Sequence, residues 1–286
     1  MKLGVVGIGL MGLPIAQRLC ELGHEVHVRD IDRAREALAG GCVIEASAAS
    51  VGASSDLVFV VVVDAAQTQA VLTHADGLLH ARPLPQAVAL CPTMAAADTE
   101  TLAALLAARG VECIDAPMSG GPQRAREGRM SLMVACADAV FQRWRPLLEQ
   151  IASPVHRVGT CVGDGARTKL VNNLLAAINL AGACEVMALA QRLGLDPAVT
   201  LRVIEQSSGQ SWIASDRLQR ALAGDEAPHA RTTLLAKDSA LALAQARAVD
   251  FATPLGDAAA ANFAAAVRAG LGASDDAALW RFIASR

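Results

Sequence analysis

The stretch Val5–Ala16, VVGIGLMGLPIA, decides how the rest of the chain is read. An apolar run that begins at Leu3 ends here, and Gly7, Gly9 and Gly12 follow in a G-x-G-x-x-G array. From Gly12 a helix pattern continues to Leu22 and stops at Gly23, the residue type that most easily closes a helix. A strand that turns through glycines straight into a helix is what a dinucleotide-binding turn requires. Gly7 permits the tight turn, Gly9 lets backbone approach a pyrophosphate, and Gly12 lets helix and strand pack closely. The helix N-terminus then offers its N–H groups to the phosphates, with Ile8, Leu10 and Met11 completing the candidate cofactor turn. The bland alternative is a purely structural strand–helix turn.

Asp30 follows the strand-like EVHVR, 18 residues after Gly12. An acidic residue there is placed to hydrogen-bond an adenosine ribose, and its charge repels a 2′-phosphate, which favours NAD. NADP stays possible because Arg29, Arg33 and Arg35 are close in sequence. The plain alternative for Asp30 is a helix cap.

The same rhythm continues outward. IDRAREALAGG (31–41) predicts a helix ended by glycines. DLVFVVVV (56–63) is a near-continuous β-branched run, the mark of a strand covered on both faces. AVALC (87–91), a helix over 98–109 and VECID (111–115) follow, then SLMVA (131–135) and PVHRV (154–158) around a helix that Asp138 is placed to cap. Strands separated by helices predict an α/β fold with a parallel sheet. After about Gly165 only helices are expected, over 197–206, 213–222, 231–248, 255–269 and 275–284. They are entered through a long central helix in TKLVNNLLAAINLAGACEVMALAQRLGL (168–195), apolar on nearly every face and so expected to be buried on all sides. Asp196 and Pro197 read as the N-cap and first residue of the helix after it. The division expected is 1–163 for an α/β domain and 164–286 for an all-helical domain.

The chain has 286 residues, of which 53% are hydrophobic and 19% charged, with net charge −3 and no block of lysine and arginine. It can fill a sizeable core, and nothing suggests a nucleic-acid partner. Seven cysteines lie more than twenty residues apart with no C-x-x-C pair, which argues against a disulfide framework or a zinc site and for a reducing, cytoplasmic setting. The amino-terminal glycine spacing fits a folded turn better than a signal peptide. The longest uninterrupted run of large apolar residues, Leu57–Val63, is too short to cross a bilayer, so no membrane role is expected.

Two further stretches carry candidate chemistry. In DAPMSGGPQRAREGRM (115–130) a serine precedes two glycines, Ser119-Gly120-Gly121, and three arginines follow, Arg124, Arg126 and Arg129. The glycines mark a turn, and its backbone could hold an anion. In GDGARTKLVNN (163–173), Lys169 and Asn173 are four apart and share one helix face. Burying an ammonium is disfavoured, and the same desolvation makes a lysine usable as a proton shuttle. The alternative is a lysine whose head reaches solvent from the helix end.

Four stretches together, GIGLMGLPIA, DAPMSGG with EGRMSLMVA, GDGARTKLVNN and LLAKDSALALAQA, occur in an order and spacing that resembles the β-hydroxyacid dehydrogenase family across essentially the whole chain. Its members include 3-hydroxyisobutyrate dehydrogenase, tartronate semialdehyde reductase and threonate dehydrogenase. The resemblance implies a Rossmann-like NAD(P) domain and a helical domain, assembled as a homodimer or homotetramer, acting on a small 3-hydroxy acid without a metal. It implies that Lys169 is the catalytic lysine and Asn173 orients the substrate, with Asn172 beside it. Ser119, Gly120 and Gly121 match the family's carboxylate-binding loop. Thr93 resembles the threonine near the nicotinamide, Lys237 the lysine that closes over the cofactor, and Val62 and Val63 the residues that lie against it. By themselves Thr93 is a turn residue and Lys237 a solvated helix charge.

The chain departs from the family at PQRAREGRM, where many relatives have Gly-Ala after the two glycines, and at Val63-Asp64, where many have Leu-Pro. The arginines are therefore either solvated loop charges or partners for a second polar end of the substrate. RAREGRM is nearer the threonate-type pattern. Two rivals are an imine reductase on the same scaffold, which usually lacks the lysine, and a non-catalytic nucleotide-binding protein, which usually has lost the lysine or the glycine loop.

Overall fold

The computed structural model describes residues 1–286, which divide into two compact units, Met1–Lys169 and Leu170–Arg286. In the first, β1 (Lys2–Val6), α1 (Gly12–Glu21), β2 (Glu25–Arg29), α2 (Arg33–Glu36), β3 (Val43–Ile44), α3 (Ala48–Ala53), β4 (Leu57–Val60), α4 (Ala65–Thr73), β5 (Ala87–Leu90), α5 (Ala96–Ala107) and β6 (Glu112–Asp115) alternate as the sequence rhythm requires. They build the parallel sheet β3-β2-β1-β4-β5-β6. The sheet continues through β7 (Met118–Ser119), α6 (Gly121–Glu127), β8 (Met130–Ala135), α7 (Asp138–Ile151) and β9 (Ala152–Gly159). Here β8 runs antiparallel to β6, β7 antiparallel to β8, and β9 parallel to β8.

Two cores explain why the central strands are apolar at every position. Side chains alternate across a pleated strand. Leu3, Val5, Leu57 and Phe59 enter one core with Ile15 and Leu19 of α1 and Trp144 of α7. Val6, Val58, Val60, Val88 and Leu90 enter the other with Val51, Leu72, Leu102 and Leu106. The sheet is covered on both faces, as its composition predicts.

Helix boundaries differ from expectation where capping decides them. α2 is four residues long because the Asp32 carboxylate caps its first turn, accepting the Ala34 N–H at 3.0 Å, and the chain turns again before Gly40-Gly41. Asp138 does not cap α7. It is the first residue of that helix, and its carboxylate pairs with Arg157 at 2.7 Å.

α8 (Asp164–Arg192) runs from the first unit into the second, where α9 (Pro197–Glu205), α10 (Trp212–Leu222), α11 (Thr232–Arg247), α12 (Pro254–Arg268) and α13 (Leu279–Ala284) follow. Asp196 caps α9 by accepting the Val199 N–H at 2.8 Å. The core gathers Ala177, Leu180, Cys184 and Met187 of α8 around Leu218, Phe263 and Trp280. Beneath it lies an ion pair from Arg217 Nε to Asp276 Oδ1 at 2.6 Å, and burial pushes the Asp276 carboxyl up to about 6.

α8 is not buried on all sides. Its 29 residues are long and apolar enough to cross a bilayer by length and composition, and 39% of its most apolar stretch is buried. The second unit's core covers one stripe, leaving Val171 65% and Leu175 58% exposed, with Val186 and Leu189 also open. A helix apolar all round needs cover all round, and one core supplies it on one side.

Six of the seven cysteines are buried or half-buried and Cys161 is exposed, all as free thiols. Although 22 residues apart, Cys20 on α1 and Cys42 before β3 bring their Sγ atoms to 3.1 Å.

Candidate active site

In the glycine turn, Gly7 has φ +89°, and its N–H donates to the Arg29 carbonyl at 2.9 Å. Gly12 can carry no side chain, because a Cβ there would run into the Gly7 carbonyl oxygen. Val62 lies against Gly7 from the end of β4, and Ile8 is buried while Leu10 is exposed. Met11 at the start of α1 supplies no side-chain cap, so the helix's leading N–H groups lack a side-chain acceptor, as an anion-binding N-terminus requires. This cradle fits a pyrophosphate.

The Asp30 carboxylate closes the turn from the next strand, with Oδ2 accepting the Ile8 N–H at 2.8 Å and Oδ1 the Asp32 N–H at 2.9 Å. Capping α2 falls to Asp32 instead. Of the nearby arginines, Arg29 pairs with Glu36. Arg35 pairs with Asp32 at 3.4 Å, and its Nη1 sits over Gly9. Val63 lies on the surface, its N–H donating to Gln67 at 3.0 Å, while Asp64 caps α4. That gives the Val63-Asp64 departure a local reason. Thr93 is half-buried in the loop from β5 to α5.

Ser119 ends β7, paired with Ser131 of β8. Gly120 and Gly121 have φ +128° and +78°, where side-chain-bearing residues rarely sit, so the turn that exposes this backbone needs glycine twice. Of the three arginines, Arg126 pairs with Glu21 of α1 and Arg129 with Glu127, both at the surface. Arg124 folds back over the loop, its Cβ and Cδ within 3.3 Å of the place a Gly120 Cβ would take.

A residue that the sequence does not single out sits against the start of α8. Asp115, at the end of β6, is fully buried and accepts the Gly163 N–H at 2.8 Å and the Ala166 N–H at 3.1 Å. Burial pushes its carboxyl up to about 6 against these bonds, which act to lower it. Lys169 follows one turn later and is 6% exposed, so the solvent-reaching alternative does not describe it.

In the second unit, Asn173 Nδ2 donates to Asp238 Oδ2 at 2.7 Å, and Lys237 Nζ lies 2.8 Å from Asp238 Oδ1. Asn172, on the exposed side of α8, donates to Asn173 Oδ1 at 3.0 Å. Asp238 thus joins two residues singled out separately in the sequence. Its signal was available: Asp238 falls between Leu235 and Ala242 on the buried stripe of α11, where an unpaired carboxylate is costly.

Two family models together span nearly the whole chain. One describes the NAD binding domain of 6-phosphogluconate dehydrogenase and matches residues 2–163. The other describes the NAD-binding region of NADP-dependent 3-hydroxyisobutyrate dehydrogenase and matches residues 163–283. An L-threonate dehydrogenase of Cupriavidus necator is 38% identical over 97% of this chain and 94% of its own. An L-threonate dehydrogenase of Escherichia coli O6:H1 is 35% identical over 96% and 92%. The crystal structure of 3-hydroxyisobutyrate dehydrogenase from Salmonella typhimurium superposes with TM-score 0.89 at 33% identity, covering 99% of both chains.

Proposed function

Since this chain belongs to the β-hydroxyacid dehydrogenase family and is an NAD(P)-dependent hydroxy acid dehydrogenase, we propose that it oxidises a threonate-type polyhydroxy acid with NAD, using Lys169 as the proton-transfer group. The observation that carries the assignment is the burial of Lys169 in the opening turns of α8, where an ammonium is tolerated at a cost. The L-threonate dehydrogenases among the relatives support the substrate class. We assign residues 1–163 to a cofactor domain and 164–286 to a helical substrate and assembly domain.

In this reading Gly7, Gly9 and Gly12 admit the pyrophosphate to the N-terminus of α1, and Asp30 meets the adenosine ribose and disfavours a 2′-phosphate. Thr93, Val62, Val63 and Lys237 border the cofactor. The backbone of Ser119-Gly120-Gly121 and the Ser119 hydroxyl hold the carboxylate of the acid, while Asn173 fixes its orientation. Lys169 takes the proton of the reacting hydroxyl during oxidation and returns it during reduction. The bound nicotinamide supplies the hydride acceptor. Arg124, whose stem packs over Gly120, is the arginine we assign to a further hydroxyl; the surface pairs of Arg126 and Arg129 support a solvated role for those two. The exposed apolar stripe of α8 supports a homodimer or homotetramer, and the free thiols support a cytoplasmic location.

The test is nicotinamide reduction with L-threonate, glycerate, 3-hydroxyisobutyrate and 3-hydroxybutyrate, each with NAD and with NADP. Turnover should be fastest with L-threonate and NAD, and Lys169→Ala should lower kcat by about a hundredfold or more. Preference for NADP would overturn the role of Asp30. A kcat within about tenfold of wild type in Lys169→Ala would overturn the proton-transfer role.

A further inference from the structure

Asp115 is placed to do more than end a strand. Its backbone is fixed from both sides, by Leu90 of β5 and Ala135 of β8. Its side chain is 1% exposed, and Oδ2 accepts two N–H groups from the opening of α8, those of Gly163 and Ala166. Between them, Gly165 lies so close that a Cβ there would sit 2.8 Å from both the Asp115 carboxyl carbon and the Met133 carbonyl oxygen. The first turn of α8 therefore rests on the end of the sheet with no side chain between them.

The choice of a carboxylate is informative. Burial opposes its charge, and Asp164 opposes it further; the N–H groups of Ala166, Gly163 and Gly165 act the other way. At neutral pH it is an anion facing the N-terminus of a 29-residue helix, where charge-assisted bonds and the helix dipole reinforce one another. A second tie comes from α5, where Glu100 meets Arg167 Nη2 at 2.5 Å. Lys169 is three residues beyond Ala166, on the next turn of the same stiff element. Whatever fixes that first turn fixes the Cα of Lys169.

We propose that Asp115 is the positioning residue of Lys169, its carboxylate anchoring the first turn of α8 to the end of β6 and so setting where the lysine Nζ meets the substrate hydroxyl. The proposal rests on Lys169 being the proton-transfer group. Misplacing a reacting group by about 1 Å can cost about a hundredfold in rate, so an anchor at this distance has leverage on kcat.

The experiment is a mutant cycle in the full-length enzyme. Asp115→Ala and Asp115→Asn are each made alone and on a Lys169→Ala background, with kcat, the KM for NAD and hydrogen exchange at the Gly163 and Ala166 amides as readouts. Asp115→Ala is expected to lower kcat by about tenfold or more with the KM for NAD held within about twofold, and to speed exchange at both amides. Asp115→Asn keeps an oxygen that can accept both N–H groups, and should restore kcat to within about threefold of wild type. On the Lys169→Ala background neither change should lower kcat further, because residues that act as a unit are not additive. An equal loss on both backgrounds marks a merely structural role and overturns the proposal, as does an unchanged kcat in Asp115→Ala. Should Asp115→Ala not fold, Gly165→Ala, whose Cβ would push the first turn of α8 off the Asp115 carboxyl, carries the same cycle, with a loss that disappears on the Lys169→Ala background in support and no loss or a persistent one against. If Lys169→Ala alone keeps its kcat, the proton-transfer reading fails and this one falls with it, while the exchange data still report whether the anchor exists.

Discussion

Burial holds the Asp115 carboxyl at about 6, above its ordinary 3.8, even though its oxygens are hydrogen-bonded. The folded chain binds this proton near pH 6 and the unfolded chain near 3.8, so the ionised group costs stability above about pH 6, and the cost is relieved as pH falls towards about 4. The difference amounts to about 3 kcal/mol. Asp276 is raised in the same direction, so the measurement must isolate Asp115. Urea unfolding of wild type and Asp115→Asn from about pH 7.5 to about pH 4.5 does so, and wild type should gain about 2 kcal/mol relative to the variant on acidification, since part of the cost remains above the unfolded pKa. A constant gap would mean that the group ionises normally. Asp115 is not legible in the sequence by its surroundings, and Asp238 only through its place on the apolar stripe of α11, although both lie inside the motifs quoted above. Their partners are 48 and 65 residues away, and a carboxylate's work is defined by what it accepts. Ser119, Gly120, Gly121 and Lys169 could be singled out because their chemistry is local: two positive φ values, and one lysine in an apolar helix.

Among the elements, β1, β4 and β5 are readable as short continuous apolar runs, and α1 by a helical period that closes at Gly23. The apolar spacing through Leu38 predicts a longer α2 than the cap at Asp32 and the turn before Gly40 allow, and α4 has no sequence signal because AAQTQAVLT carries little periodicity. α8 was readable in length and misread in cover. What ties α8 to α11 is the Asn173–Asp238 bond, with Lys237 on the other carboxylate oxygen. Asp238→Ala should leave the buried Asn173 amide without its acceptor and remove the carboxylate beside Lys237, destabilising the chain by about 1–3 kcal/mol and lowering kcat, whereas Asp238→Asn should recover most of the stability. Urea unfolding and steady-state rates check both, and equal stability in the alanine variant would mean that solvent replaces the carboxylate.

At the scale of the whole molecule, the open stripe of Val171, Leu175, Val186 and Leu189 is a stability question that one copy of the chain does not answer. If like chains cover it, Leu175→Lys should lower the oligomer mass measured by light scattering, and an unchanged mass would place the contact elsewhere. The thiols are distributed just as unevenly. Burial pushes Cys42 up to about 12 and Cys91, Cys113 and Cys184 higher still, while Cys161 alone is exposed. An alkylating dye at neutral pH should therefore land on one atom, the Cys161 Sγ, two residues before Gly163. That leaves a single labelling point just before α8, and fluorescence from it would follow the opening turn of that helix in real time as cofactor and acid arrive.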